Sequence, residues 1–445
     1  MMKCDWKKCK LTDIADVRDG THDSPKEVIE GGLPLVTSRH ISNGKVDLSN
    51  TYNISIEDFN AINLRSKVDY GDILISMIGT VGQVAYVNDP PKYAIKNIGL
   101  IKPYSLESSK YIFYYLKSPI AQEGILARLK GTTQQYLSLG ELRNFPIDLP
   151  PLDEQKRIAQ ILGSLDDKIE LLQKQNKTLE DMAKAIFKSW FVDFDVVHAK
   201  QKGLPKADIM REYHLTDELY DLFPSSFEPS ALGPIPHGWQ VKNVGELLSF
   251  SIGGGWGNEE ENQSFPVKAP VIRGTDIPIL RSSGNYNGVP IRFHKKSNHT
   301  SRELKEGDIV LEVAGGSKGQ PVGRALFVSD YIIKSLPKVI CASFCKLLRP
   351  NEELLLPELF YLYLDMMYQT GEIEQYQVQS TGISNFQFKQ FCEDKQFVIP
   401  NTELQKKLSL NVYIDKIGNN KKQIQTLTEL RDTLLPPLIS GKIRV

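Results

Sequence analysis

The longest regular pattern along the chain is "PPLDEQKRIAQILGSLDDKIELLQKQNKTLEDMAKAIF", residues 150–187, polar on most faces and free of Gly and Pro after Gly163. From Ile158 the seam positions alternate by four and three, through Leu162, Leu165, Ile169, Leu172, Asn176, Leu179, Ala183 and Ile186. That spacing predicts a helix of roughly 35 residues, about 50 Å long, with an a/d seam and Asn176 at a core position. A fainter seam near the C-terminus passes through Leu408, Val412, Ile417, Asn420, Ile424, Leu427 and Leu434. A lone Asn in a seam costs stability and selects register, and Asn176 and Asn420 fall at different heptads, which predicts two separate buried polar layers. Two amphipathic helices lying on separate cores would also bury one face each. The narrow seam and the length favour a coiled coil. The segment Lys200–Pro236, rich in Pro and Gly around "FPSSFEPSALGPIPHGW", reads as a linker that lets the second helix return antiparallel to the first.

Outside the helices the pattern is of short apolar runs broken by Gly, Pro, Asn and Asp, and it occurs twice. "WKKCKLTDI" (Trp6–Ile14) matches "WQVKNVGEL" (Trp239–Leu247), and "LPLVTSRHIS" (Leu33–Ser42) matches "APVIRGTDIP" (Ala269–Pro278). "YGDILIS" (Tyr70–Ser76) answers "EGDIVLE" (Glu306–Glu312), and "YIFYYLKS" pairs with "LFYLYLDM". "GTTQQYL" (Gly131–Leu137) sits where "STGISNF" (Ser380–Phe386) sits, and "DKIELL" from Asp167 matches "DKIGNN" from Asp415. The order is kept while the offset drifts between roughly 233 and 250 residues, as loop insertions produce. The chain therefore reads as module, helix, module, helix. "GDILIS" and "GDIVLE" predict strands, "SKYIFYYLKS" and "PELFYLYLDMM" buried helices, so each module is α+β. The expected domains are a first module over 1–150, a long helix over 151–200, a linker over 201–235, a second module over 236–400 and a second long helix over 401–445.

Composition narrows the function classes. A chain of 445 residues is too long for one ordinary core, and 41% hydrophobic with 24% charged residues describes a folded protein. No run approaches the roughly 18 consecutive apolar residues of a membrane helix, and "MMKCDWKKCK" lacks an apolar leader, which points to the cytoplasm. The five cysteines (Cys4, Cys9, Cys341, Cys345, Cys392) show neither paired CxxC nor nearby His, against zinc and disulfides. Lys+Arg and Asp+Glu both total 54, so no basic excess marks a free-standing nucleic-acid binder; one member of a complex remains compatible.

Catalytic motifs are tested and set aside. "NDPPKY" (Asn88–Tyr93) is close to the Asp-Pro-Pro-Tyr loop of amino-methyltransferases, but Lys92 separates Asp89-Pro90-Pro91 from the aromatic, and no Gly-rich cofactor loop precedes it. "SIGGGWG" and "VAGGSKGQ" fit neither phosphate-binding spacing, and "SGKIRV" has Ile443 where a hydroxyl is needed. Asp308 and Glu312 follow an apolar run without the Lys that a metal nuclease places after them. The expectation is a chain without its own chemistry.

"LPPLDEQKRIAQILGSLDDKI", "IFKSWFVDFD", "LGPIPHGW", "LLPPLISGKI" and "DGTHDSP" (Asp19–Pro25) resemble the specificity subunit of type I restriction–modification enzymes, along nearly the whole chain and in the family's order. The resemblance implies two target-recognition domains held apart by two antiparallel helices, each domain reading one half of a split double-stranded DNA site. It also implies docking of two methyltransferase subunits and, through them, restriction/translocase subunits. S-adenosylmethionine, ATP and Mg²⁺ would then belong to those partners. One departure is that "LPPLDEQ" before the first helix becomes "VIPNTELQ" before the second, so the two helix starts need not be capped alike. Loops rich in Arg, Gln, Asn, Ser and Thr suit base reading, since Arg pairs bidentately with guanine and Gln or Asn with adenine. The first module offers His22, Ser38, Arg39, His40, Thr80, Thr132, Thr133, Gln134, Gln135 and Tyr136. The second offers Arg273, Thr275, Asp276, Ser317, Lys318, Ser384 and Asn385, with the basic run Arg292–Arg302 suited to the DNA backbone. The alternatives are a scaffold joining two protein-binding modules and a methyltransferase acting through Asp89-Pro90-Pro91.

Overall fold

Two Gly-Asp turns start the two central strands of the fold. The structure, a computed structural model, describes residues 6–315, 321–380, 383–408 and 410–445. Gly71 (φ +85°) and Gly307 (φ +82°) occupy left-handed backbone that side chains avoid. The turns are closed by Asp72 and Asp308, which accept from the backbone N–H of Asp69 (2.7 Å) and Lys305 (2.6 Å). Each turn leads into a strand buried along its length, Ile73–Ser76 and Ile309–Glu312.

The chain divides into two compact units, Met1–Lys168 with Leu427–Val445, and Ile169–Thr426. In the first, an antiparallel four-stranded sheet has the order Ala15–Asp19, Ile98–Pro103, Ile73–Ser76, Val84–Tyr86. A mixed three-stranded sheet follows Tyr52–Ile54, Leu33–Val36, Ala94–Ile95, with Leu35 parallel to Ala94. Strand Lys7–Lys10 pairs with Pro146–Leu149. The helix Leu106–Lys117 packs its aromatic side chains inward, and the Tyr111 hydroxyl donates to the Asp148 carbonyl at 2.6 Å.

The second unit repeats this order. Its four-stranded sheet runs Leu248–Gly253, Cys345–Pro350, Ile309–Glu312, Ala325–Phe327. Its mixed sheet runs Ile291–His294, Val267–Ile272, Ile340–Cys341, with Val271 parallel to Ile340. Gln240–Asn243 pairs with Gln396–Ile399, and in helix Pro357–Gln369 the Tyr363 hydroxyl donates to the Val398 carbonyl at 2.6 Å. By that bond Tyr363 corresponds to Tyr111, a different phase from the direct pairing of "YIFYYLKS" with "LFYLYLDM"; aromatic-rich helices match in several phases, and the hydroxyl's partner selects one. The segment expected as a linker is folded. It carries helices Asp195–Gln201, Lys206–Glu212 and Asp217–Leu222 and the hairpin Phe227–Ser230/Gly233–Pro236, with Ile209, Leu215, Phe223 and Ile235 buried. Its anchor is aromatic: Phe223 meets Trp190 edge-on at 5.5 Å, and Phe191 stacks on Trp239 at 5.8 Å.

The long helices span Leu152–Phe187 and Leu410–Ile439 and form an antiparallel coiled coil. Within the first unit Asp166 accepts from Arg431 (2.7 Å), while the earlier Glu154 takes both arms of the later Arg444 (2.6 and 2.9 Å). Ile158 and Leu162 share one core there with Leu435, Leu438 and Ile439. Of the expected seam, Leu162, Ile169, Leu172, Asn176, Asn420 and Ile424 are buried, and Leu165, Leu179, Ile417 and Leu427 are half-buried. Within the second unit Asn420 Nδ2 donates to Asn176 Oδ1 at 2.8 Å. The two Asn therefore share one polar layer, not two: a heptad count gives the phase of each helix but not the alignment between antiparallel partners. Val412 lies outside the seam, 64% exposed. Gln155 and Gln405 brace their helix starts alike against the preceding segment, donating to the carbonyls of Pro150 (2.8 Å) and Pro400 (2.9 Å). Beyond that the starts diverge. Asn401 caps a short helix, Thr402–Lys407, which stops at Leu408 (ψ 101°) before the long helix begins, whereas the first helix runs unbroken.

Candidate nucleic-acid interface

The loops singled out by their chemistry gather at one end of each four-stranded sheet. In the first unit that end is where Ala15–Asp19 and Ile73–Ser76 finish and Ile98–Pro103 begins, with Gly99 opposite Asp19 and Ile98 opposite Ser76. Gly20 turns the chain there because a Cβ would lie 2.4 Å from the Ile95 carbonyl oxygen. The exposed His22 ring sits between Asp19 (3.0 Å) and Asn97 (2.8 Å), and Asp19 also receives Arg65. Ser38 donates to the Asn97 carbonyl at 3.3 Å, which ties the Thr37–His40 turn to the same place. Thr80 follows Gly79 (φ +72°) on the exposed turn after the central strand, its carbonyl accepting from Ser76 Oγ at 2.5 Å. Thr132, Thr133, Gln134, Gln135 and Tyr136 form an exposed loop joined to this end by paired bonds between Lys130 and Tyr136 (2.9 Å each) and a bridge from Tyr136 to Ile78.

The second unit uses the same positions with different side chains. Gly254 corresponds to Gly20: a Cβ there would lie 2.1 Å from the Ala342 carbonyl oxygen. Thr37 N–H donates to His40 Nδ1 (2.9 Å), and Arg273 N–H donates to Asp276 Oδ2 (2.8 Å), so His40 and Asp276 close equivalent turns. Burial holds the His40 imidazole below its ordinary range, consistent with the acceptor role of Nδ1. Arg273 also places two side-chain donors on Asp276 (3.0 and 2.7 Å) and a third bond on the Gly288 carbonyl (2.9 Å). His40 and Asp276 are thus buried turn-closing groups and Ser38 a buried tie to the Asn97 carbonyl, while Arg39 and Thr275 stand exposed at the turn tips. Where the first unit has a loop, the second has a hairpin, Gln377–Ser380 with Ile383–Phe386, and Ala314–Gly315 pairs with it through Asn385 and Ser384. Asn385 is exposed and Ser384 half-buried; Ser317 and Lys318 lie outside the described residues.

The carboxylates beside the central strands are neutralised. Asp308 takes both arms of Arg349 (2.7 Å each) and Glu312 both arms of Arg324 (2.8 and 2.6 Å), with the carboxylates buried. At the corresponding positions of the first unit Lys102 meets Asp72 (2.5 Å), but Ser76 and Gln83 replace Glu312 and Arg324. Asp89-Pro90-Pro91 lies on an irregular surface stretch, and Tyr93 is buried in a core where desolvation pushes its hydroxyl well above the ordinary range. An aromatic so placed offers no face to an extruded base, which removes the methyltransferase reading. Among the described residues no three His, Cys, Asp or Glu gather as metal ligands, and no helix is long and apolar enough to cross a membrane.

Residues that sequence reasoning missed at these sheet ends are Arg65, Lys96 and Asn97 in the first unit and Trp256 and Phe344 in the second; Arg302, the last residue of the basic run, does lie there, donating to the Gly253 carbonyl. The signal available was the pairing of Gly20 with Gly254, which brings the residues after each glycine into register.

Known proteins resemble this chain along most of its length. Residues 3–181 match the family described as type I restriction modification DNA specificity domain. The type I restriction enzyme MjaIX specificity subunit of Methanocaldococcus jannaschii is 27% identical, over 99% of this chain and 94% of its own length. The HindI specificity subunit of Haemophilus influenzae is 25% identical over 85% of this chain and 88% of its own. In fold, the crystal structure of the type I restriction–modification system S subunit from M. genitalium matches with a TM-score of 0.52 at 16% identity, covering 98% of this chain and 97% of that one.

Proposed function

From the match of residues 3–181 to the type I restriction modification DNA specificity domain and the chain's similarity to specificity subunits over most of its length, we propose that it is the non-catalytic subunit that directs such a complex to its DNA sequence. The modules over 1–150 and 236–400 each read one half of a bipartite double-stranded target. The helical segments 151–200 and 401–445 set the spacer between the halves and dock two methyltransferase subunits, which in turn carry the restriction/translocase subunits. S-adenosylmethionine, ATP and Mg²⁺ belong to those partners, and the complex works in the cytoplasm. The observation that carries this reading is a duplicated scaffold bearing different polar side chains at the same sheet end, as two readers of two different half-sites require. The exposed groups there, His22, Arg39, Thr80, the Thr132–Tyr136 loop, Thr275 and Asn385, are the base and phosphate contacts, together with the half-buried Arg273 and Ser384.

The ruler role has a direct test. Inserting one heptad into each long helix adds about 10 Å, or roughly three base pairs, to the spacer at 1.5 Å per residue and 3.4 Å per base pair. Methylation mapping of a host carrying the variant should return both original half-sites with the longer spacer. A target with its original spacer would refute the ruler.

A further inference from the structure

The two sheet ends differ most at one pair of turns. In the first unit the turn after Ile95 is polar, with Lys96 and Asn97, and it faces His22 across a hydrogen bond. The second unit has the same backbone: Gly255 N–H donates to the Cys341 carbonyl (2.9 Å) as Thr21 N–H does to that of Ile95 (3.0 Å). Its turn, Ala342-Ser343-Phe344, is one residue longer and presents Phe344 to solvent, 59% exposed, with Trp256 taking the place of His22 at 38%. Phe344 belongs to none of the buried cores, yet its backbone is held firmly. Its carbonyl accepts from Val313 (2.9 Å) and Ala314 (3.2 Å), and Cys345 N–H closes the turn on Ala342 (2.8 Å). The glycine-led segment that carries Trp256 holds two guanidinium groups: Arg302 donates to the Gly253 carbonyl (2.9 Å), and Arg292, which also reaches Glu259, lies over the Trp256 ring at 4.7 Å.

An exposed aromatic ring on a hydrogen-bonded turn, at a sheet end that also carries Arg302 and Arg292 and whose twin in the other module is polar, has the form of an intercalating side chain. We propose that Phe344 is a wedge that enters between two base pairs of the half-site read by the second module and partly unstacks them. The inference rests on the second module being a DNA reader. It assigns that module a share of readout by deformability, so its half-site should place a flexible pyrimidine–purine step, TA or CA/TG, under Phe344, while the first module reads through polar groups.

The test uses the full chain assembled with its methyltransferase subunits, on the target defined by methylation mapping. 2-Aminopurine is placed in turn at every position of both half-sites except the methylated base. The wild-type complex should show enhanced fluorescence at one step of the second module's half-site. Phe344→Ala should abolish that enhancement and lower discrimination against base changes at that step by about tenfold, with the first half-site unaffected. Phe344→Leu, still an apolar wedge, should restore much of the signal, and protection of the first half-site certifies that both variants are folded. Fluorescence unchanged by Phe344→Ala, on a complex that still selects its full site, overturns the wedge and leaves the DNA-reading function standing. Weakened subunit assembly with the signal intact also overturns it, since Phe344 would then face a protein. A complex with no sequence selectivity overturns both.

Discussion

The two modules share strand order, turn geometry and glycine positions, and they differ where ion pairs and exposed groups are placed. In the first, the central strand ends in Ser76, whose hydroxyl accepts from the Gln83 N–H at 2.8 Å. In the second, the same position is Glu312, buried and held by Arg324. The contacts with the long helices diverge as well. In the first unit Tyr114 and Arg431 bind Asp166 (2.8 and 2.7 Å). In the second, Lys184 and Arg281 bind the buried Asp365 (2.8 and 2.7 Å), and although burial alone raises a carboxyl, the two cations hold this one below its ordinary range. A duplicated framework tolerates such exchanges because its strands are fixed by apolar burial and backbone pairing, which do not depend on them.

The largest expected contrast follows from the Ser76/Glu312 difference. Arg324→Met strands a buried carboxylate and should cost about 3–5 kcal/mol, whereas Ser76→Ala in the first module should cost about 1 kcal/mol. Denaturant unfolding of each variant, followed by a probe in the affected unit, measures the difference; equal losses would mean that Glu312 is not a buried ion pair. Next come the Asn. Asn176→Leu alone leaves Asn420 without its partner, at about 1–3 kcal/mol, while the double Leu variant should regain that stability and lose register selection. Thermal melts of the three variants, with cysteine cross-linking across the coil to read register, decide this.

A pH effect belongs to the second unit. The Lys421 ammonium donates to the Leu280 carbonyl at 3.0 Å, and burial pushes it down to about 8. A lysine lowered on folding binds fewer protons folded than unfolded between that value and its usual range of about 10.4. Stability should therefore rise, by about 1–3 kcal/mol, as pH increases through 8 toward 10. Lys421→Met should flatten that slope, and an unaltered slope in the variant would place the titration elsewhere. The smallest effect is at the helix starts: Asn401→Ala should cost about 1 kcal/mol through loss of the cap on Leu404 N–H (2.7 Å). The first helix start, with Pro151 in that place, has no such side chain to remove.

Much of this organisation was legible in the sequence. The six ordered matches predicted the repeated strand order, because turn glycines and apolar runs survive duplication. The seam of the first helix was legible from Ile158 onward for the same reason. What failed had physical causes. The seam of the C-terminal helix incorporates Arg431, satisfied by Asp166, and a polar seam residue interrupts an apolar count; the break at Leu408 then put Val412 out of phase. The Lys200–Pro236 segment looks like a linker because Pro and Gly cluster toward its end, although several of its Ile, Leu and Phe positions are buried. At the sheet ends, Ser38, His40 and Asp276 have the chemistry of base-reading groups, and only the fold shows that His40 and Asp276 close turns and that Ser38 ties one down. Phe344 and Trp256 carry no polar signature, so an aromatic that the fold leaves exposed reads in the sequence like any core residue.

The central claim, two independent readers on one scaffold, is tested most directly by exchanging residues 1–150 for the recognition domain of another specificity subunit and mapping methylated bases genome-wide. The account predicts a new first half-site joined to the unchanged second half-site. Continued methylation of the original full site, or replacement of both halves at once, would contradict it.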